Sequence, residues 1–263
     1  MDKGYTWFAI NNDNTDYVEL SRSLAKSIKR HNKINQTCII TDKKIAHDDF
    51  DHVIVLDKDF SKDQQWKLNN EWQVFELTTF KHTIKLEADV LLNCNVDWWW
   101  SHLHQHNLIF SYDCRNYSDQ LVKDKTYRKL FCTNDLPNIY SALTYFRKSR
   151  EAQAFFNLCR DITLNWTAVK DKMLINCHDK QATTDVVYAL ALKILDPLQI
   201  SQKNYEWVSM MHNKNSINGL SDAFINDQYL YTMMVNGNLY SGCHRQSRVF
   251  HYHNKSLLKE LYG

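Results

Sequence analysis

Apolar residues along this chain fall into two rhythms. Y-T-W-F-A-I at 5–10, C-I-I-T-D at 38–42 and V-I-V-L-D at 53–57 are short, nearly continuous apolar runs, as expected of strands covered on both faces. After the first run, N-N-D-N-T-D reads as a polar loop ending in a helix cap. From there Tyr17, Leu20, Leu24 and Ile28 recur at helical spacing, with Arg22, Lys26, Lys29 and Arg30 between them. Residues 71–81 predict a helix that leads into a strand beginning T-I-K-L. Further strands are predicted over 108–112 and 139–146. Ala152, Phe155, Phe156, Cys159, Ile162 and Trp166 mark an amphipathic helix, and 184–195 predicts another.

This alternation predicts an α/β fold with a mostly parallel central sheet and helices on both of its faces. No linker, repeat or low-complexity segment divides residues 1–263, which predicts a single domain. Past residue 200 the pattern weakens and predicts no definite elements.

Composition narrows the function. Hydrophobic residues make up 44% of the chain, enough for a sizeable core. The 32 Lys and Arg nearly balance the 30 Asp and Glu, so bulk charge gives no reason to expect nucleic acid, although a local patch stays open. Seven scattered cysteines without a CxxC pair argue against a disulfide framework or a zinc ribbon, and suit a reducing cytosol. No signal peptide and no apolar run of membrane-spanning length is evident, so the expectation is a soluble, cytoplasmic protein. The five glycines are dispersed, which excludes P-loop and Rossmann-type phosphate cradles. A phosphorylated ligand would have to be neutralised by a metal and by side-chain cations.

Candidate chemistry begins at T-I-K-L-E-A-D-V-L-L, residues 83–92, where Glu87 and Asp89 interrupt an apolar run. If the backbone is extended here, residues two apart share a face roughly 6–7 Å from each other. Two like charges at that spacing repel, and a divalent, oxygen-seeking cation would resolve the conflict. The plainer alternative places both acids at a solvated strand end.

Several segments taken in order resemble the GT-A-fold glycosyltransferases, in particular the glycogenin and lipopolysaccharide-galactosyltransferase group with its viral and bacterial relatives. T-T-F-K-H-T-I-K-L-E-A-D-V-L-L is similar to the stretch leading into that group's D-x-D motif. S-R-S-L-A-K-S-I-K-R-H-N followed by C-I-I-T-D resembles its nucleotide-binding opening. N-I-Y-S-A-L-T-Y-F-R-K-S resembles its next strand, and V-F-H-Y-H-N-K its C-terminal His-x-x-x-Lys element. The resemblance covers most of the chain and is densest over residues 5–150. It implies a Rossmann-like nucleotide-sugar half (1–112) and an acceptor-side half (113–263). It also implies that Glu87 and Asp89 are the acidic pair for manganese or magnesium, Asp89 binding it directly and Glu87 either reaching it through water or contacting the ribose. His251 would be the C-terminal metal ligand, with His253 competing for that role, and Lys255 would neutralise diphosphate. Glu87 stands where the motif usually has Asp.

Other positions carry two readings each. Asn11 and Tyr17, near the tip of the first strand, are placed to contact the nucleotide, and Asp42 to contact ribose or base; all three equally fit caps or turns. Asp185 opens the 184–195 helix, either as its N-cap or as the acid that faces sugar and acceptor. Trp98, Trp99 and Trp100 cannot share one narrow helical stripe, so at least one should be exposed, for sugar stacking, membrane contact or a subunit interface. Residues 113–136 interleave basic and aromatic side chains, including Arg115, Lys123, Lys125, Arg128 and Lys129. They read as a polyanion-holding loop or as a solvated amphipathic face.

The sequence is therefore read as a metal-dependent glycosyltransferase with a nucleotide-sugar donor, a UDP-sugar by resemblance. Its acceptor by default is a glycan or lipid-linked glycan. The alternatives are hydroxymethylated DNA, for a viral enzyme in host cytoplasm, and a non-catalytic nucleic-acid-binding or interaction protein on a degenerate GT-A fold. No oligomeric state follows from the sequence.

Overall fold

The apolar runs become strands. The computed structural model describes residues 2–46, 48–64, 66–195, 204–218, 232–252 and 255. It opens with β1 (Lys3–Phe8), α1 (Tyr17–His31), β2 (Thr37–Thr41) and β3 (His52–Val55). A short α2 (Val74–Leu77) precedes β4 (His82–Leu86), β5 (Val90–Leu92), α3 (Trp99–Leu103), β6 (Leu108–Ser111) and β7 (Cys114–Arg115). Next come α4 (Lys129–Thr133), β8 (Tyr140–Arg147), α5 (Arg150–Leu164), α6 (Trp166–Met173) and α7 (Thr184–Leu195). The described remainder holds β9 (Met210–Asn213), β10 (Thr232–Val235), β11 (Asn238–Ser241), β12 (His244–Arg245) and β13 (Val249–Tyr252).

Among the described residues the main sheet has the order β3-β2-β1-β4-β8-β6. β1 pairs in parallel with β2 and β4, and β2 with β3; only β8 runs against its neighbours. This is the mostly parallel, helix-flanked α/β fold expected from the alternation and the GT-A resemblance. Strand alternation divides the core. Tyr5 and Trp7 of β1 join Leu24 and Ile28 of α1 and Trp100 of α3 on one face. On the other, Phe8 and Phe110 join Phe155 and Phe156 of α5 and Tyr188 of α7.

A second sheet, β5-β13-β9-β7, lies outside the sequence expectation. Its Val90, Leu92, Met210 and Val249 enter the α1-side core. Its Leu91, Met211, Phe250 and Tyr252 form a smaller cluster with Leu20 of α1 and Leu239 of β11. A three-stranded antiparallel meander, β10-β11-β12, follows.

Two expectations are corrected locally. The helix foreseen over 71–81 is one 3-10 turn (Glu71–Gln73) and the single-turn α2, because Thr78 turns extended. Its hydroxyl is 2.8 Å from Thr6 Oγ1 and 3.2 Å from Thr83 Oγ1, bonds into the sheet that compete with helix propagation. Second, 83–92 is not one strand: β4 stops at Leu86, and Glu87–Asp89 forms a turn from which β5 departs into the second sheet.

Gly4 shows how closely β1 is packed. A Cβ there would lie 2.4 Å from Cζ of the buried Phe80. Gly4→Ala should destabilise the protein by about 1–3 kcal/mol through overpacking, read as a lowered urea midpoint. The smaller ring-free side chain of a Gly4→Ala/Phe80→Leu double variant should recover part of the loss. An unchanged midpoint in Gly4→Ala would show that the Phe80 ring moves aside freely.

Candidate metal and acidic site

The turn at Glu87–Asp89 sits at the carboxyl end of β4, beside the carboxyl end of its parallel neighbour β1. That is where open α/β sheets form ligand crevices. β13 then pairs antiparallel with β5, with His251 opposite Val90, and Tyr252 N donates to Asp89 O at 3.2 Å. This register carries His251 to the acids across 162 to 164 residues of sequence. Its Nε2 is 3.4 Å from Glu87 Oε2 and 3.4 Å from Asp89 Oδ2. One ligand atom from each of the three residues lies within 4.8 Å of the others. Lys255 Nζ pairs with Asp89 Oδ2. His253 lies outside the described residues.

Electrostatics separate the two acids. Burial pushes the Glu87 carboxyl up; Lys85 and His251 oppose this, and the Asp89 charge adds to it. Burial would also raise Asp89, but His251 and Lys255 outweigh it and hold that carboxyl well below the usual range. For His251, desolvation works against the charged ring, and Asp89 overcomes it, so the imidazole is pushed up.

Behind Glu87 lies an ionic network that sequence reasoning missed. Lys85, fully buried in β4, contacts Glu71 Oε2 at 2.6 Å and Glu87 Oε1 at 3.9 Å, and donates to Ser141 O at 3.2 Å. Ser141 Oγ is 2.9 Å from Glu87 Oε1 and 2.7 Å from Asp185 Oδ1. The single hydroxyl proton of Ser141 is shared between these two oxygens. Asp185 also accepts from Ser141 N at 2.7 Å and from Arg128 Nη2 at 2.8 Å. The signal for this network was a lone lysine inside the apolar strand T-I-K-L, which can be buried only with a partner.

Two cavities meet at Glu87. One, of about 510 Å³, is lined by Phe8, Tyr17, Trp66, Glu71 and Asp89. The other, of about 530 Å³, is lined by Tyr127, Ser141, Asp185, His212 and His251. Lys214 and Thr183 line both. The His212 ring stacks on His251 with centroids 4.5 Å apart and planes 3° from parallel. His212 and Lys214 fall in the region where the sequence pattern was weakest.

The remaining candidates distribute unevenly. Tyr17 lines the first cavity, and burial raises its phenol. Asn11 lines neither cavity; it accepts from Val18 N at 3.2 Å and donates to Asp16 Oδ1 at 2.9 Å, tying the loop to the cap of α1. Its neighbour Asn12 lines the first cavity instead. Asp42 follows β2, accepts from Thr41 Oγ1 at 3.3 Å, and lines neither cavity. Asp185 is inside the first turn of α7, and its side chain turns to Ser141 and Arg128, not to the helix end.

The 113–136 segment is largely irregular and is not a continuous amphipathic helix. Two of its five cations face inward. Arg115 pairs with Glu206 and Asp119, and Arg128 with Asp185, which leaves Lys123, Lys125 and Lys129 exposed. That removes two of the charges on which a phosphate-binding loop would depend.

No protein-family model matches this chain, and neither does any curated protein. Among solved structures, the chain is similar to the apo form of the glycosyltransferase GlyE of Streptococcus pneumoniae TIGR4, at 10% identity with a TM-score of 0.41. The match covers 75% of this chain and 44% of that one, so this chain spans less than half of its length.

Lys85 offers a direct test of the network. Lys85→Met should cost about 3–5 kcal/mol in chemical denaturation, because it strands Glu71 without its buried partner. The double variant Lys85→Met/Glu71→Leu should recover much of that loss. A single-variant cost below about 1 kcal/mol would mean that the pair contributes little.

Proposed function

We propose that this chain is a metal-dependent glycosyltransferase that moves a sugar from a nucleoside diphosphate, a UDP-sugar, to an acceptor hydroxyl on a glycan. The observation that carries this reading is the convergence of Glu87, Asp89 and His251 at the carboxyl end of β4, on the border between two cavities. Such a border gives the donor and the acceptor separate rooms with one shared wall.

The three residues fit manganese or magnesium. Two carboxylates supply hard oxygen ligands, and the imidazole adds a nitrogen that favours manganese. Their mutual repulsion is offset by His251, by Lys255 beside Asp89 and by Lys85 behind Glu87, a charge balance to which a divalent ion would add. When bound, the ion supplies positive charge to balance the donor's diphosphate.

The chain's own groups do the rest. Lys255, beside Asp89, adds a cation where negative charge develops as diphosphate leaves. Tyr17, in the Asp89-side cavity, provides an aromatic wall for the nucleotide. Asn11 would act through the loop that it braces, and Asp42 from the end of β2. Asp185 is held by Ser141 and Arg128 on the wall of the other cavity, where it positions the acceptor hydroxyl. Glu87, the shared wall, keeps Ser141 and the metal side in register.

Hydrolysis of UDP-sugars, followed as released UDP, tests the reading. Chelator should abolish it and manganese or magnesium restore it. Asp89→Ala should lower turnover by orders of magnitude, while Glu87→Asp, which restores the D-x-D form, should retain or raise it. Turnover that is unaffected by both chelator and Asp89→Ala would overturn the metal site. Absence of any turnover with a panel of nucleotide sugars, at full metal occupancy, would favour a binding protein on this fold.

The Asp185 role has its own readout. Asp185→Asn should reduce transfer to an acceptor by about 10²-fold or more and leave donor binding, measured by calorimetry with UDP and metal, nearly unchanged. A parallel loss of UDP binding would move Asp185 to the donor side.

A further inference from the structure

Two smaller cavities lie at the opposite end of the second sheet from Asp89. One, of about 240 Å³, is lined by Trp98, Trp99, Trp207, Asp119 and Arg248. The other, of about 230 Å³, is lined by Lys26, Arg30, His31, Arg245 and Glu19. They are neighbours along two chain segments: Asn93 lines the second and Cys94 the first, while Gln246 lines the second and Ser247 the first. An aromatic recess and a cationic recess thus adjoin along these two segments, linked by the Asn93 N to Arg248 O hydrogen bond at 3.1 Å.

The aromatic recess is built around an exposed indole. Trp100 and Trp99 are 1% and 5% exposed, but Trp98 is 47% exposed, a large loss of burial for such a side chain. Trp98 packs on Trp207 with centroids 4.9 Å apart, and Trp207 stacks on Tyr205 at 5.1 Å. The three rings therefore pack as one shelf. Its polar edge is fixed as well: Arg248 Nε donates to Asp119 Oδ1 at 2.6 Å, and Asp119 is also paired with Arg115. Such an edge would be costly against lipid tails.

The cationic recess carries surplus positive charge. Glu19 is paired with Arg22 at 3.4 Å, and Lys26 reaches Asp49 only at 4.0 Å. Among the described residues, Arg30 and Arg245 have no ion-pair partner. Arg30 is seated against the β10–β11 turn at Gly237, whose φ is +73°. A Cβ there would lie 2.5 Å from Arg30 Nη2, so the guanidinium rests close against the turn. His31 is pushed down by burial and further by Arg30 and Arg245. Part of this basicity suits the negative end of α1, but Arg245 arrives from β12.

We propose that this surface binds single-stranded nucleic acid, with bases stacking on Trp98 and backbone phosphates held by Lys26, Arg30 and Arg245. Aromatic shelves beside cations suit exposed bases on a charged backbone, whereas a duplex hides the base faces. This site is independent of the metal site and of the exposed lysines of the 113–136 segment.

The test is fluorescence anisotropy of a labelled 12-nucleotide oligo(dT) against the whole chain over a range of NaCl concentrations. Log affinity should fall with log salt with a slope of about −2, from three phosphate contacts at roughly −0.7 each. Arg30→Gln/Arg245→Gln should flatten the slope to about −0.7. Trp98→Ala should weaken binding roughly fivefold or more. Trp98→Ala also loses packing on Trp207, so Trp98→Phe, which keeps an aromatic face, should retain most of the affinity. An abasic oligonucleotide should bind like the Trp98→Ala variant does to oligo(dT). No binding, or equal affinity for abasic, duplex and polyphosphate competitors, would overturn the proposal. So would an affinity untouched by Trp98→Ala, which would reduce the surface to a general anion patch.

Discussion

The structure turns on a handover of three residues. β4 belongs to the parallel sheet and β5 to the smaller one, and Glu87–Asp89 is the turn between them. Because strands of the two sheets cannot share one hydrogen-bonded plane, the turn is left at their junction with its carboxylates unable to retreat into either sheet. Both acids are then held by partners brought from elsewhere: Lys85 and Ser141 behind Glu87, and His251 and Lys255 beside Asp89. Removing the pairing of β13 with β5 would leave Asp89 without His251 and Glu87 with Lys85 alone.

That arrangement also explains why the two acids differ. They stand two residues apart in one turn, yet burial wins at Glu87 and ion pairing wins at Asp89. The cause is geometric. Asp89 faces both His251 and Lys255, whereas Glu87 shares His251 with Asp89 and shares Lys85, 3.9 Å away, with Glu71. A buried lysine divided between two carboxylates cannot fully offset either. On the proposed reading, the better-paired acid meets the metal and diphosphate, and Glu87 links that side to Ser141 and Asp185.

The rest of the molecule is arranged around keeping this junction fixed. α1 packs Leu24 and Ile28 on the main sheet and Leu20 on the second sheet, so one helix anchors both. On the opposite face, α5 and α7 form an aromatic layer through Phe155, Phe156 and Tyr188, and α7 delivers Asp185 from its first turn. The acidic network is thereby tied to rigid elements on each side, the condition under which charged groups can be held at fixed distances inside a low-dielectric interior.

The sequence by itself determined what depends on local pattern. Apolar runs and helical spacing set β1, α1, β2, β8 and α7, because burial selects the side-chain rhythm directly; β3 also forms, but as a half-exposed edge strand and not covered on both faces as its apolar run suggested. The same reasoning marked Glu87 and Asp89 as out of place in an apolar run, and Trp98–Trp100 as too many indoles for one buried stripe. Tertiary structure decided what depends on partners distant in sequence. Thr78 ends its helix because Thr6 and Thr83 hold its hydroxyl, and Arg115 and Arg128 turn inward because Glu206 and Asp185 await them. Neither contact leaves a mark on local periodicity. The second sheet escaped for the same reason: β5, β7, β9 and β13 have four residues at most, too short for a period to show, and they are strands only because they pair. His251 thus reaches the acids through a register, and a register is set by strands meeting in space.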